Sequence, residues 1–330
     1  MVRGIQNLEQ AGHSSDGRFT AGLCIASWAI LLVTAFVVYA DAFRSLIQTW
    51  NRTGEYRHGF LVMPIALWLA FLSRGKLDGA VLKPSAWGIL GLLLAVTVWA
   101  LGRLWDLNIF MHAGVVSIIP FSVLALFGQD VSRRMIFPIG YMFLAVPVDG
   151  KWLVPFLQTI TAQGAEAMLQ LLNVPVFRDG TLLSLPVADF EVAEACSGYR
   201  FLIAMAVIML AMAWVYYGTV TKRLLFVAVA MVMALVVNIV RVTGIMLLAQ
   251  ERGLASSAYA DHVLYGWQLY VVIILLLAVA GAWWSDRGRF GADNASFRVG
   301  IGASRNEVLW ALFTSLAVLV ASRSVIEVFA

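Results

Sequence analysis

The charge-free apolar runs of this chain leave it one environment. Residues 19–40, 59–73, 84–102, 107–129, 135–148, 201–221, 224–240 and 263–285 carry no charged side chain, and 308–322 is a short further candidate. A spanning helix needs about 20 apolar residues. In hydrocarbon, only a helix or a closed barrel satisfies its own backbone. The runs are continuous, whereas barrel strands would alternate over about ten residues. The sequence therefore predicts an all-α polytopic membrane helical bundle of about eight transmembrane helices, with a ninth candidate at the C-terminal end. Residues 19–40 are too long for a signal-peptide core and lack a convincing cleavage site, so this run reads as a retained anchor. Residues 135–148 hold Pro138 and Pro147 and read as a broken span.

Composition excludes the alternatives. The 330 residues are 61% apolar and 13% charged, against about half and about a quarter in a soluble domain. A soluble core could not hide so much apolar surface. The net charge is only +4, and the basic residues are scattered between apolar runs, so nucleic acid is not an expected partner. Two cysteines cannot form a disulfide framework.

One region breaks the pattern. Residues 152–172 place apolar positions at helical spacing with Gln158, Thr161, Gln163, Glu166 and Gln170 between them, which predicts an amphipathic interfacial helix. Asp179-Gly180 is a turn signal, and β-type residues follow, which predicts a short extracytoplasmic hairpin or extended loop. The chain thus divides into a cytoplasmic segment 1–19, a transmembrane core 20–285 with an extracytoplasmic insertion at 148–195, and a tail 286–330 containing the last apolar segment. Lys and Arg favour cytoplasmic loops. With the N-terminus inside, Arg74/Lys76, Arg133/Arg134, Lys222/Arg223 and Arg287/Arg289 all fall on the cytoplasmic side. The 148–194 loop then lies outside, together with the start of the 201–221 span, Arg241 and the segment 251–262.

Reactive groups at this outer depth are functional candidates. Cys196 stands at the mouth of a span, within Glu194-Ala195-Cys196-Ser197-Gly198-Tyr199-Arg200. A helix start favours a thiolate. Arg200 is four residues on, so it lies on the same helical face. Gly198 admits a close-lying backbone, such as a substrate chain. Asn238 and Arg241, three residues apart, share a face near the outer end of a long span. Arg241 is a fixed fork of donors suited to an oxyanion or carboxylate. His262, one of four histidines, precedes the last long span and suits a general base. Asp261 beside it can cap that helix. Each residue alone also has a structural reading: a buried small thiol, a snorkelling arginine, a loop histidine. A thiol, a base and an anion-stabilising group from three consecutive membrane passages are the parts of covalent acyl transfer. Tyr56 and His58, in Tyr56-Arg57-His58-Gly59-Phe60, lie at the mouth of another span and can line the same site; a turn and an aromatic belt explain them equally well. No metal-ligand cluster, P-loop or dinucleotide fingerprint is present, so neither a metal nor a cofactor is expected.

These motifs resemble those of the exosortase/archaeosortase family. The resemblance rests on the Cys196 segment, Asn238-Ile239-Val240-Arg241 and Asp261-His262, in that order. Val174-Pro175-Val176-Phe177-Arg178-Asp179-Gly180 and the Tyr56 to Phe60 segment look like the bacterial branch. Tyr199 stands where an aliphatic residue is expected. The resemblance implies a membrane cysteine transpeptidase of the bacterial inner membrane with its site on the extracytoplasmic face. It would act on exported proteins carrying a C-terminal sorting signal of the PEP-CTERM kind. Cys196 would be the nucleophile, His262 the proton carrier and Arg241 the oxyanion or thiolate stabiliser. Asn238, Glu194, Ser197, Gly198, Arg200 and Asp261 would support them. The partners implied are those substrates, membrane lipids and an acceptor that is lipid- or saccharide-linked. Three other readings stay open: an exopolysaccharide-related transporter or polymerase subunit, a non-catalytic scaffold, and a hydrolase using water as acceptor.

Overall fold

The computed structural model describes residues 2–253, 262–286 and 300–329, the side chains at 2–18, 262–265, 301 and 325–329 excepted. Among these, seven helices are long and apolar enough to cross a membrane: Phe19–Val38, Ala86–Leu104, Asn108–Arg134, Glu194–Tyr216, Val220–Arg252, Gly266–Trp283 and Arg305–Ser324. Two shorter apolar helices, Gly59–Leu72 and Ile136–Ala145, fall where the sequence predicts the short span and the broken one. The all-α polytopic bundle is therefore the observed architecture. The C-terminal candidate is a full helix rather than a fragment.

The chain folds as two compact units, one of Met1–Val148 with Ala292–Ala330, the other of Asp149–Gly291. The first unit is built on a hairpin. α1 spans Val2–Val38, α2 Ala40–Arg52, α3 Gly59–Leu72, α4 Ala86–Leu104, α5 Asn108–Arg134 and α6 Ile136–Tyr141. The tight turn between α4 and α5 puts Asp106 in the left-handed region, at φ 53°. Small residues then let the two backbones close. A Cβ on Gly88 would fall 2.1 Å from the Ala125 nitrogen, and one on Gly102 would fall 2.3 Å from the Met111 nitrogen. Such close approach is how helices gain packing energy where lipid removes the hydrophobic drive between them. α5 kinks at Gly128, φ 88°, and the Lys83 carbonyl there occupies the space a Cβ would need, so the position takes glycine.

The last helix completes this unit. It runs Arg305–Phe329; with the helix of residues 262–283 counted as α10, it is α11. Its Leu319 packs in one buried cluster with Leu31, Tyr39, Trp99 and Leu126. The Tyr39 hydroxyl donates to the Leu319 carbonyl at 2.9 Å. Arg323 Nη1 reaches both oxygens of Asp41, at 2.9 and 3.0 Å. Burial alone would raise the Asp41 carboxyl, but the hydrogen bonds and charge of Arg323 outweigh it and hold the group below its usual range.

The second unit holds α7 (Val154–Leu171), α8 (Tyr199–Tyr216), α9 (Val220–Arg252) and α10 (His262–Trp283). α8, α9 and α10 pack through Phe201, Met205, Met209, Ala230, Ala234 and Tyr270. Phe201 stacks on Tyr270 at 3.9 Å between ring centroids, and the Tyr270 hydroxyl donates to the Ala234 carbonyl at 2.9 Å.

The Asp41–Arg323 pair predicts a pH dependence. A depressed native carboxyl contributes stability above its unfolded value near pH 3.9, and that contribution is lost as pH falls through the native value. Thermal unfolding in detergent should show wild type above Asp41→Asn at pH 7, with the gap closing below about pH 4.

Candidate active site

The 151–198 segment of the second unit is a scaffold for Cys196. A 3-10 turn at Lys151–Leu153 leads into α7, with Pro155 in its first turn where no N–H is missed. The chain then forms a three-stranded antiparallel meander of β2 (Phe177–Asp179), β3 (Leu182–Ser184) and β4 (Asp189–Glu191); β1 (Val81–Leu82) and β5 (Gly300–Ile301) pair with each other in the first unit. Asp179-Gly180 makes the expected turn, with Gly180 at φ 62°, and the structure adds a third strand to the predicted hairpin.

The polar stripe of α7 holds this meander. Arg178 Nε bonds Glu166 Oε2 at 2.6 Å, and Gln158 Nε2 donates to the Val192 carbonyl at 2.7 Å. Ala165, Leu169, Leu183, Phe190, Val192 and Met246 form the apolar core between α7, the meander and α9. The helix predicted from residues 152–172 is thus present, but its Gln158, Thr161 and Glu166 bond within the protein.

β4 delivers the chain to Cys196. A 3-10 turn covers Glu194–Cys196, with the Cys196 N–H donating to the Ala193 carbonyl at 2.8 Å. Gly198 follows at φ 85°, and α8 starts at Tyr199. This corrects two expectations. Cys196 lies just ahead of α8, as expected, but the left-handed Gly198 intervenes, so Arg200 does not share a helical face with it. Arg200 Nη2 instead donates back to the Ala195 carbonyl at 3.3 Å. Gly198 is required by its left-handed backbone and by the Asn238 side chain, whose Cγ would sit 2.7 Å from a Cβ. The close neighbour is a side chain of the protein, not an open path for a substrate backbone. Ser197 is fully buried, and its hydroxyl accepts from the Tyr199 N–H at 3.3 Å.

Asn238 joins two motifs. Its Nδ2 donates to the Cys196 carbonyl at 2.9 Å and to Thr161 Oγ1 at 3.0 Å. Its Oδ1 takes a 3.5 Å contact from Arg241 Nη1. Asn238 is 1% exposed and Arg241 4%. The guanidinium carbon lies 5.4 Å from the Phe201 ring centroid, a cation–π contact. Gly266 of α10 lets that helix close on the arginine stem, since a Cβ there would lie 3.0 Å from Arg241 Cδ. Arg241 Nε finds no partner among the described residues. A guanidinium is always charged, so a buried one with donors to spare is a preformed place for negative charge. An apolar pocket of about 140 Å³ is lined by Cys196 together with Phe190, Glu191, Val192, Val242, Ile245 and Met246.

The remaining candidates divide. His262 opens α10, one turn ahead of Gly266. Asp261 lies outside the described residues, as do Arg287 and Arg289. Glu194 is exposed and has no side-chain bond to a described residue. Tyr56 and His58 belong to the first unit and are half-buried. His58 Nδ1 meets the Glu55 carbonyl at 3.1 Å; burial lowers the pKa of its ring, partly offset by that carbonyl and by Leu144. Sequence reasoning missed Phe201, Gly266 and the pocket residues as parts of the site. Their types are ordinary for a membrane span, and nothing marks them. Thr161 and Gln158, three apart on α7, carry a signal that in sequence is indistinguishable from interfacial polarity.

Asn238 thus links a buried arginine to the backbone of Cys196, just ahead of a membrane-spanning helix. Residues 50–279 match the transmembrane exosortase family. That is more than half of the chain, and the protein belongs to this family. No curated protein matches the chain. No solved structure matches it either.

The Asn238 network predicts an ordered pair of effects. Asn238→Ala strands the Cys196 carbonyl, the Thr161 hydroxyl and Arg241, and should cost about 1–3 kcal/mol. It should also raise the rate of Cys196 alkylation by a maleimide. Glu194→Ala should stay within about 0.5 kcal/mol. Thermal unfolding and timed alkylation check both.

Proposed function

We propose that this chain is a cysteine transpeptidase that processes C-terminal sorting signals of exported proteins at the outer face of the inner membrane. Family membership supports protein-sorting transpeptidation in general. The observation that carries the finer reading is Asn238, whose amide joins the Cys196 carbonyl to Arg241 in one buried cluster.

The chemistry runs as acyl transfer. His262 takes the thiol proton of Cys196, and the thiolate adds to the scissile carbonyl carbon. Arg241 stabilises the resulting oxyanion with donors held in place before the reaction, which is worth about 10²–10³ in rate for such groups. The C–N bond then breaks, His262 returns the proton to the leaving amine, and a thioester remains on Cys196. An acceptor nucleophile attacks that thioester and releases the thiol. Asn238 is a positioning residue: it fixes the turn that carries the cysteine and the rotamer of the arginine. A substrate whose sorting signal ends in a membrane helix would approach from the side, which suits a site at the mouth of a span.

The test follows an exported protein with a C-terminal sorting signal in cells. Wild type and Cys24→Ala should remove the signal, whereas Cys196→Ala should leave it attached. Arg241→Lys, which keeps the charge but loses the planar fork, should slow processing by about 10²-fold. If Cys196→Ala processes normally, the nucleophile assignment is wrong. The mass of the mature product identifies the acceptor, water or another nucleophile.

A further inference from the structure

β4 is the free edge of its sheet. The strand order is β2-β3-β4, and the pairs 181–192 and 185–188 are hydrogen-bonded across β3 and β4. In an antiparallel ladder bonded and non-bonded positions alternate, so Phe190, opposite Leu183, faces β3 while Asp189 and Glu191 face outward. Asp189 therefore turns its N–H and C=O away from β3, and Glu191 turns its N–H the same way. No described residue takes up these groups. Glu191 C=O is already used by the Ala193 N–H at 2.9 Å, so the free edge ends there. Unpaired edges are templates for an added strand.

The apolar pocket borders this edge. Phe190, Glu191 and Val192 form one side, and Val242, Ile245 and Met246 of α9 form the other. Cys196 also lines the pocket. A space of about 140 Å³ has room for one side chain of intermediate size, not for a chain segment. Glu191 is the single charged residue in the lining, so a carboxylate is repelled from the pocket and an apolar group is favoured.

We propose that the substrate binds as a fourth strand on β4, through the backbone of Asp189 and Glu191, and seats one apolar side chain in this pocket. Because Cys196, the proposed nucleophile, lines the pocket, that side chain belongs to one of the two residues next to the scissile bond. Val242, Ile245 and Met246 are the residues that set its size. The inference rests on Cys196 being the nucleophile; it adds the substrate's conformation and a specificity subsite.

The experiment uses the full chain in detergent with peptides that carry a sorting signal and differ at the two residues flanking the cleaved bond. Valine, phenylalanine and glutamate are compared at each position, and the ratio of kcat/KM between two peptides is read, so a partly unfolded variant does not distort the result. Wild type should prefer valine over both others by about tenfold or more at one position. Ile245→Ala and Met246→Ala should each move that position towards phenylalanine by about tenfold. N-methylation of the peptide bond opposite Asp189 should abolish cleavage, whereas N-methylation two residues beyond the edge should not. If Cys196→Ala still cleaves, the nucleophile reading fails and this proposal with it. If cleavage needs Cys196 but neither variant changes the preference, the pocket is not the subsite. If the preference shifts yet every N-methylated peptide is cleaved, strand addition is wrong.

Discussion

The amide of Asn238 is the point through which the site is held. It bonds residues 77 and 42 positions away in the chain, Thr161 and the Cys196 carbonyl, and receives Arg241 on its other end. In a low-dielectric interior a fully bonded amide rigidifies what it touches, while a half-bonded one is costly. Gly198 must therefore lack a Cβ, the turn at Glu194–Cys196 must lie in one place, and α7 must present Thr161 inward. The cysteine is positioned by backbone and amide geometry, and its side chain stays free for other contacts.

A second constraint acts on the whole chain. Hydrocarbon offers no partner for a peptide group, so each apolar run has to close its own hydrogen bonds. That is why the helices were legible in the sequence. The run at 135–148, with Pro138 and Pro147, breaks into a short helix and a 3-10 turn, as its composition predicts. The third strand of the meander was not legible, because Asp189, Phe190 and Glu191 are too few to form a pattern.

The site was legible in part for a related reason. Asn238 and Arg241 stand out because polar groups in a span are rare, and their spacing of three does put them in contact. The relation of Cys196 to Arg200 was misread because spacing arguments assume a continuous helix. The left-handed Gly198 interrupts it, and a glycine in sequence does not announce its φ. The inward side of α7 was hidden differently. A polar stripe reads the same whether water, lipid headgroups or protein meets it, and only tertiary structure tells which.

The division of the chain has a consequence for its biosynthesis. The first unit takes its closing helix from residues beyond the second unit. Asp41 and Tyr39 meet Arg323 and Leu319 across about 280 positions, the separations being 282 and 280. As the ribosome delivers the chain, the second unit leaves the translocon with all of its segments present. The first unit must wait in the bilayer, with the flank of α1 and α4 that receives α11 covered by lipid or by an insertion factor, until translation has passed residue 323. A stalled or truncated nascent chain would thus carry a complete second unit and an unfinished first one, a species for membrane quality-control proteases to recognise.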